Sequence, residues 1–406
     1  MRVSTGVGTT RRAAVPGLLL AGVLLVALNL RGPLIAVAPV AGELRSDLAV
    51  GAGTVGLLTS IPVLLFGLAA PLASWVIARA GTHRAVLLSM LGVLAGTLLR
   101  SVGDVRTALA GTVVLGLAIT VGNVVVPVVI GRDFPGVTHV VTAAYTSALN
   151  IGATLTTTLT APLADLVGWR WALASWGLLV GVACLVWTAG LRRQAARAGQ
   201  APPPPPPAAD TRPVWRQPAV WGLTLAFAAQ AFSYYGVTAW LPTLLADEQG
   251  LTRSAAGVSS SLFQVFAVAG AFAVPALVAW WRRPAAVLLA VTATWATLPI
   301  GLLAAPGLWP LWCALAGVAQ GGGLTVVFIA IVARSRDLAE NRRTSAMVQG
   351  GGYAVAATGP LVVGAVHDVS GSWTLPMLVV LGAIVVMAVA GGLSAGGRPR
   401  EGTAGG

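Results

Sequence analysis

The amino-acid sequence predicts an all-α polytopic membrane protein, with twelve transmembrane helices arranged as two pseudo-symmetric six-helix bundles. Three features carry that expectation: an apolar composition, a regular spacing of long hydrophobic stretches, and an internal repeat. Of 406 residues, 56% are hydrophobic and 9% charged, and the mean hydropathy is +0.85. A water-soluble globule of that make-up would expose far too much apolar surface, so the excess must face lipid. The net charge of +13 comes from 25 arginines and no lysine. These arginines lie between apolar stretches and not along one basic face, which argues against nucleic acid as a partner. Cys184 and Cys313 sit in apolar runs without ligand spacing. They read as packing residues, with no disulfide framework, no metal site and no cofactor implied.

Stretches long enough to cross a bilayer, about 20 residues, fall near 17–40, 53–78, 85–103, 107–131, 138–164, 169–191, 218–243, 255–281, 285–304, 307–333, 345–366 and 373–395. The chain then divides into an N-terminal tail (1–15), a first bundle (16–191), a linker (192–217), a second bundle (218–395) and a C-terminal tail (396–406). The linker holds Arg192, Arg193 and Arg197, a run of six prolines from Pro202 to Pro207, and Arg212 and Arg216. Such a run is stiff, extended and solvated, which suits a spacer between bundles. With tails and linker in the cytoplasm, nineteen arginines lie on that side. Five lie opposite (Arg45, Arg100, Arg106, Arg170 and Arg253), and Arg31 falls within the membrane. The positive-inside bias therefore predicts a multi-pass protein with both termini cytoplasmic. Arg11-Arg12 before an apolar run also fits a cleaved signal peptide, but the run is too long for one and its loss would destroy the repeat.

The halves match each other in order. Pro39 near the end of span one corresponds to Pro242 in span seven, and Ala85-Val86-Leu87-Leu88 recurs as Ala286-Val287-Leu288-Leu289. Asn150, Gly152 and Ala161-Pro162-Leu163 in span five correspond to Gln349, Gly351 and Gly359-Pro360-Leu361 in span eleven. Six-plus-six repeats joined by a cytoplasmic linker are the architecture of the major facilitator superfamily, in which the halves rock about a central site. Within it, the chain resembles the cyanate/2-nitroimidazole transporter family. The likeness is carried by Leu28-Asn29-Leu30-Arg31-Gly32-Pro33, Gly122-Asn123-Val124-Val125-Val126-Pro127 with Arg132-Asp133-Phe134-Pro135, and Tyr145 to Gly152. It continues through Gln230, Tyr234-Tyr235, Trp240-Leu241-Pro242, Ser261-Leu262-Phe263-Gln264 and Gln320-Gly321-Gly322-Gly323 to His367-Asp368. The resemblance implies a secondary transporter of a small polar or anionic solute, cyanate-like or nitroimidazole-like, working by alternating access in a bacterial cytoplasmic membrane. One departure follows span two, where many facilitators carry an acid before a basic cluster. Here Ala78 stands in that place, with Arg79, Gly81 and Arg84 remaining. The latch of the family must then be reduced or built differently, and Arg79 and Arg84 either gate or only enforce topology.

Polar residues at membrane depth are the site candidates. An Arg near mid-depth costs about 2.5–3.5 kcal/mol on insertion scales. Arg31 cannot shed that penalty by losing its proton, so it needs a partner, a water-filled cavity or an anion. Pro33 removes a backbone donor and clashes with the carbonyl of Asn29, while Gly32 adds room. A kink there would let Asn29 and Arg31 reach one cavity. The alternative is an Arg that bonds only neighbouring carbonyls. In span seven Gln230 and Tyr234 share a helix face, with Tyr235 one step round. Asn123, Asn150, Gln264, Gln320 and Gln349 are further midspan amides, each either a cavity group or a bridge between helices. No carboxylate lies at mid-depth. A coupled proton would then travel on the solute or on Asp133, beside Arg132 at the inner mouth. His139 and His367, at span ends, read as solvated or capping residues.

The expected function is secondary transport by a monomer whose partners are a small-molecule solute and the lipid bilayer. Efflux of a drug or secondary metabolite is the alternative within transport. A membrane enzyme or receptor is a remote one, disfavoured because no nucleophile with its base, metal-ligand cluster or phosphate loop occurs.

Overall fold

The computed structural model describes residues 17–134, 137–195, 214–281, 283–334 and 338–395. The tails, the proline run of the linker, Arg282, Pro135 and Ser335 to Asp337 lie outside the described residues. So do the side chains of His139 and Arg342.

Span one is built from α1 (Gly17–Ile35), a short 3-10 turn (Ala38–Val40) and α2 (Ala41–Asp47). The α-helix runs through Pro33, and Ala36 N still donates to the Gly32 carbonyl at 2.9 Å. The proline's effect comes just after, where the winding tightens. Pro39 sits in the first turn of the 3-10 segment, where a missing amide hydrogen is harmless. Span two breaks more sharply, into α3 (Ala52–Leu68) and α4 (Ala70–Ala80) at 65°. Spans three to six are α5 (Thr82–Arg100), α6 (Val105–Asp133), α7 (Thr138–Val167) and α8 (Trp169–Ala195). Asp104 caps α6, its Oδ1 accepting from the Arg106 and Thr107 amides at 3.0 and 3.1 Å. Those bonds hold its carboxyl below the usual carboxylate range.

The second half repeats the pattern. It comprises α9 (Pro218–Gln249), α10 (Arg253–Trp281), α11 (Pro284–Ala304), α12 (Trp309–Arg334), α13 (Leu338–Ala356) with α14 (Thr358–Ser370), and α15 (Thr374–Ala395). The packing partners repeat as well as the order. In the first half α1 lies against α7 and α8, and α5 against α6 and α8. Six spans on, α9 lies against α13 and α15, and α11 against α12 and α15. Between halves, α7 meets α10, and α3 meets α13 and α14.

Eight of the described helices are long and apolar enough to cross a membrane, nine if α3 and α4 count as one span. The three spans that fall short are α7, α9 and α13 with α14, and they complete the two bundles of six. Their lower hydropathy has a cause, because each turns polar side chains toward the interior. The outer faces are the reverse: Leu178, Trp280 and Leu393 are 77–80% exposed, as lipid-facing side chains should be. Helices approach closely where glycine removes a side chain. A Cβ on Gly152 would lie 2.2 Å from the Leu28 carbonyl oxygen, and one on Gly321 would meet the Ala267 carbonyl at 1.9 Å.

Candidate solute site

The helices enclose a cavity of two lobes, about 600 and 420 Å³, which share Arg31, Thr146, Leu149, Tyr235 and Tyr353. Arg31 stands where the lobes meet. Its Nη1 donates to Asn150 Oδ1 at 2.6 Å, and its guanidinium carbon lies 5.1 Å from the centre of the Tyr234 ring. A cation over an aromatic face gains about 0.5–2 kcal/mol, more where water is excluded. Among the described residues no carboxylate lines either lobe. The positive charge of Arg31 is therefore hydrogen-bonded and ring-stacked but not neutralised by any lining residue.

Aromatic packing fixes the ring that Arg31 meets. Tyr234 stacks on Phe263 at 6.1 Å, and Phe263 stacks on Trp295 at 5.4 Å. Trp295 Nε1 donates to Ser233 Oγ at 2.9 Å, so α9, α10 and α11 are held together behind the cavity wall. The sequence contains only four tyrosines, and Tyr145, Tyr234, Tyr235 and Tyr353 all line the cavity. Tyr145 and Tyr353 were not among the site candidates drawn from sequence. Their scarcity in the chain, and their presence in the equivalent spans five and eleven, were the available signal.

The other candidates separate into groups. Gln230, Tyr234, Asn150 and Gln320 line the larger lobe, Asn123 and Gln349 the smaller, and Tyr235 both. Two candidates do not join them. Asn29 is 1% exposed, and its amide donates to the Leu25 carbonyl at 2.8 Å and to the Leu179 carbonyl at 3.4 Å. It faces α8, because two residues along a helix that stays regular through Pro33 is a turn of about 200°. The expected shared cavity of Asn29 and Arg31 is therefore not formed. Gln264, also 1% exposed, points at Thr238 Oγ1 at 3.5 Å and bridges α10 to α9. Gly32 serves contact, a Cβ there meeting Thr156 Cγ2 at 3.0 Å.

At the end of the bundle where α1 begins, the basic cluster is rearranged. Arg79 lies over the Trp75 ring at 5.2 Å, and Arg84 is exposed. The acid of this region is Asp133, whose side chain is 5% exposed; it stands 3.5 Å from His83 Nε2 and 3.7 Å from Arg132 Nε. Arg132 also donates to Thr82 Oγ1 at 3.2 Å. His83, absent from the sequence-based candidates, is the group nearest Asp133 in this region.

The opposite end is tied shut across the halves. Arg45 pairs with Asp368 at 3.0 Å, whose other oxygen accepts from the Ala52 and Gly53 amides at 2.8 and 3.4 Å. Arg253 reaches both Glu43 and Asp165. Arg170 pairs with Asp47 at 2.9 Å within the first half. The lobes instead draw on Thr142 and Thr146 of α7, Ala271 and Phe272 of α10, Gly67 of α3 and Ala346 of α13, all toward the end where α1 begins. The cavity thus lies beneath a closed end and faces the other.

Two bundles of six spans around a cavity that holds a buried arginine and is closed at one end define a membrane transporter. The family model described as Major Facilitator Superfamily matches residues 19–328, and the chain belongs to that superfamily. It is 31% identical over 377 residues to "Uncharacterized transporter YycB" of Bacillus subtilis (strain 168), covering 92% of each chain. It is 30% identical to the 2-nitroimidazole transporter of Escherichia coli (strain K12), covering 94% of this chain and 96% of the other. Identity to the cyanate transport protein CynX of the same strain is 27%, over 89% and 94%. Among solved structures, a bacterial homologue of the human lysosomal transporter Spinster in an inward-facing, unoccupied conformation superposes with a TM-score of 0.73 at 15% identity, covering 94% of this chain and 97% of that one. The chain is a transporter and not an enzyme.

Proposed function

We propose that the protein moves a small, planar, polar or anionic solute across a bacterial cytoplasmic membrane by alternating access, with Arg31 as the charge that binds it. The uncompensated guanidinium at the junction of the two lobes carries this reading. A solute anion in that place would gain a charge-assisted hydrogen bond in a medium of low polarity. The tyrosine faces around it would stack on a flat solute, and Asn150 and Gln230 would orient it. The named substrates of two relatives, cyanate and 2-nitroimidazole, fit a small polar or planar solute. Arginine distribution supports cytoplasmic termini, so the closed end faces outward and the cavity inward. Any coupled proton would travel on the solute or on the His83–Asp133 pair, since the cavity offers no acid.

The test is Arg31→Lys beside wild type, assayed for solute flux in proteoliposomes. Lysine keeps the charge but cannot hold Asn150 and cover the Tyr234 ring together. Flux should fall at least about tenfold with normal insertion and yield. Unchanged flux removes Arg31 as the binding charge.

A further inference from the structure

The geometry points to a requirement beyond charge: the solute must also present an N–H or O–H donor to the wall built by α9 and α12, where Gln320 and Tyr234 would hold it. This rests on the reading of the cavity as an anion or heterocycle site. Across the cavity the chemistry is asymmetric. Arg31, on α1, can only donate. On the other side, Gln320 Oε1 can only accept, and the Tyr234 hydroxyl can do both. Both atoms are enclosed and meet no hydrogen-bonding partner in the protein, although both residues line the larger lobe. The residues are 6% and 2% exposed.

Packing limits what can move in to satisfy them. The Tyr234 ring is held between Arg31 and the Phe263–Trp295 stack, so its hydroxyl direction is fixed. On the Gln320 side, α12 lies tight against α10 at Gly321, and the lining that α10 offers is Ala271 and Phe272, which carry no side-chain donor. Buried polar atoms left unpaired are costly and uncommon, and a shared place on one cavity wall marks them as ligand contacts. A donor-free ion such as cyanate would accept from Arg31 and from the Tyr234 hydroxyl but leave Gln320 Oε1 unpaired. A planar heterocycle that carries an N–H beside a nitro or oxyanion group would offer an acceptor to Arg31 and a donor to Gln320.

The experiment measures binding to full-length protein in nanodiscs, at pH 6 so that the ring nitrogen keeps its proton. The probes are 2-nitroimidazole, 1-methyl-2-nitroimidazole, which keeps ring and nitro group but lacks the N–H, and cyanate. Wild type should bind 2-nitroimidazole about tenfold or more tightly than either other probe. Gln320→Leu should reduce the ratio between the two heterocycles to about threefold or less, by weakening 2-nitroimidazole more than the methylated compound. Tyr234→Phe keeps the ring stack and should act in the same direction, which preserves the test where Gln320→Leu fails to fold. Equal affinity for the two heterocycles in wild type, or a preference that survives both substitutions, overturns the donor requirement and leaves the reading of the cavity intact. Cyanate bound as tightly as 2-nitroimidazole also overturns the requirement. Binding of none of the three by folded protein brings down that reading, and this inference with it.

Discussion

Arg31 keeps a full charge at membrane depth among neutral groups, including the Asn150 oxygen at 2.6 Å, the Tyr234 face at 5.1 Å and the side chain of Tyr235. Neutrality of the partner matters as much as its presence, since an acid in the same place would cancel the charge that a solute needs. Asn150→Asp is nearly isosteric and places a carboxylate against the guanidinium. It should lower affinity for an anionic solute at least about tenfold without loss of fold, as measured by binding to purified protein. Unaltered affinity would mean that Arg31 is not the anion's partner. Much of this site was legible beforehand: an arginine in an apolar run announces a cost, and midspan amides and tyrosines announce candidates. What could not be read was the side each one faces. Asn29 and Arg31 are neighbours in sequence, yet the regular α-helix sends one to α8 and the other to the cavity. His83 lies in the first turn of α5 between basic neighbours, and only tertiary contact with Asp133 distinguishes it from a topological charge.

At the scale of helices, the decisive contact is the crossing of α1 and α7. Gly152 lets the Leu28 carbonyl come within 2.2 Å of where a Cβ would stand, and Asn150, two residues earlier, reaches Arg31 from the same crossing. Gly152→Ala must push the helices apart. It should destabilise the protein by about 1–3 kcal/mol and lower flux by displacing Asn150. A fall in melting temperature of several degrees in detergent checks the first effect, and wild-type stability would show that the crossing relaxes freely. Hydropathy marks nine of the twelve spans outright among the described residues, and breaks within spans were less legible still. The separation of α3 from α4 leaves no proline at the joint itself, only Pro71 in the first turn of the second helix. The three least apolar spans are those that supply Asn150, Gln230, Tyr234, Tyr353 and Gln349 to the site. Their weak membrane signal was itself information about function.

For the whole molecule, closure of one end depends on a few polar contacts across the halves. Asp368 joins Arg45 and also accepts from the first amides of α3. A partly exposed ion pair contributes about 0–1 kcal/mol, and a carboxylate at a helix N-terminus about 0.3–1 kcal/mol. Asp368→Asn should therefore shift the balance several-fold toward the form open at that end. Spin labels on Ser46→Cys and Val369→Cys, with Cys184 and Cys313 replaced by Ala, would report a growing population at longer distance. An unchanged distance distribution would show that closure does not depend on this contact. The cavity's charge carries a further consequence, electrical in kind. A cavity holding Arg31 and no acid is singly positive when empty and near neutral when it holds a monovalent anion. Under the proposed alternating access with an anionic solute, about one charge would move through the membrane field only on the unloaded return, worth about 2.3 kcal/mol per 100 mV. An inside-negative potential would draw the empty carrier toward the cytoplasmic face and leave the loaded step indifferent to voltage, so the resting cell itself would help set which way the empty site looks.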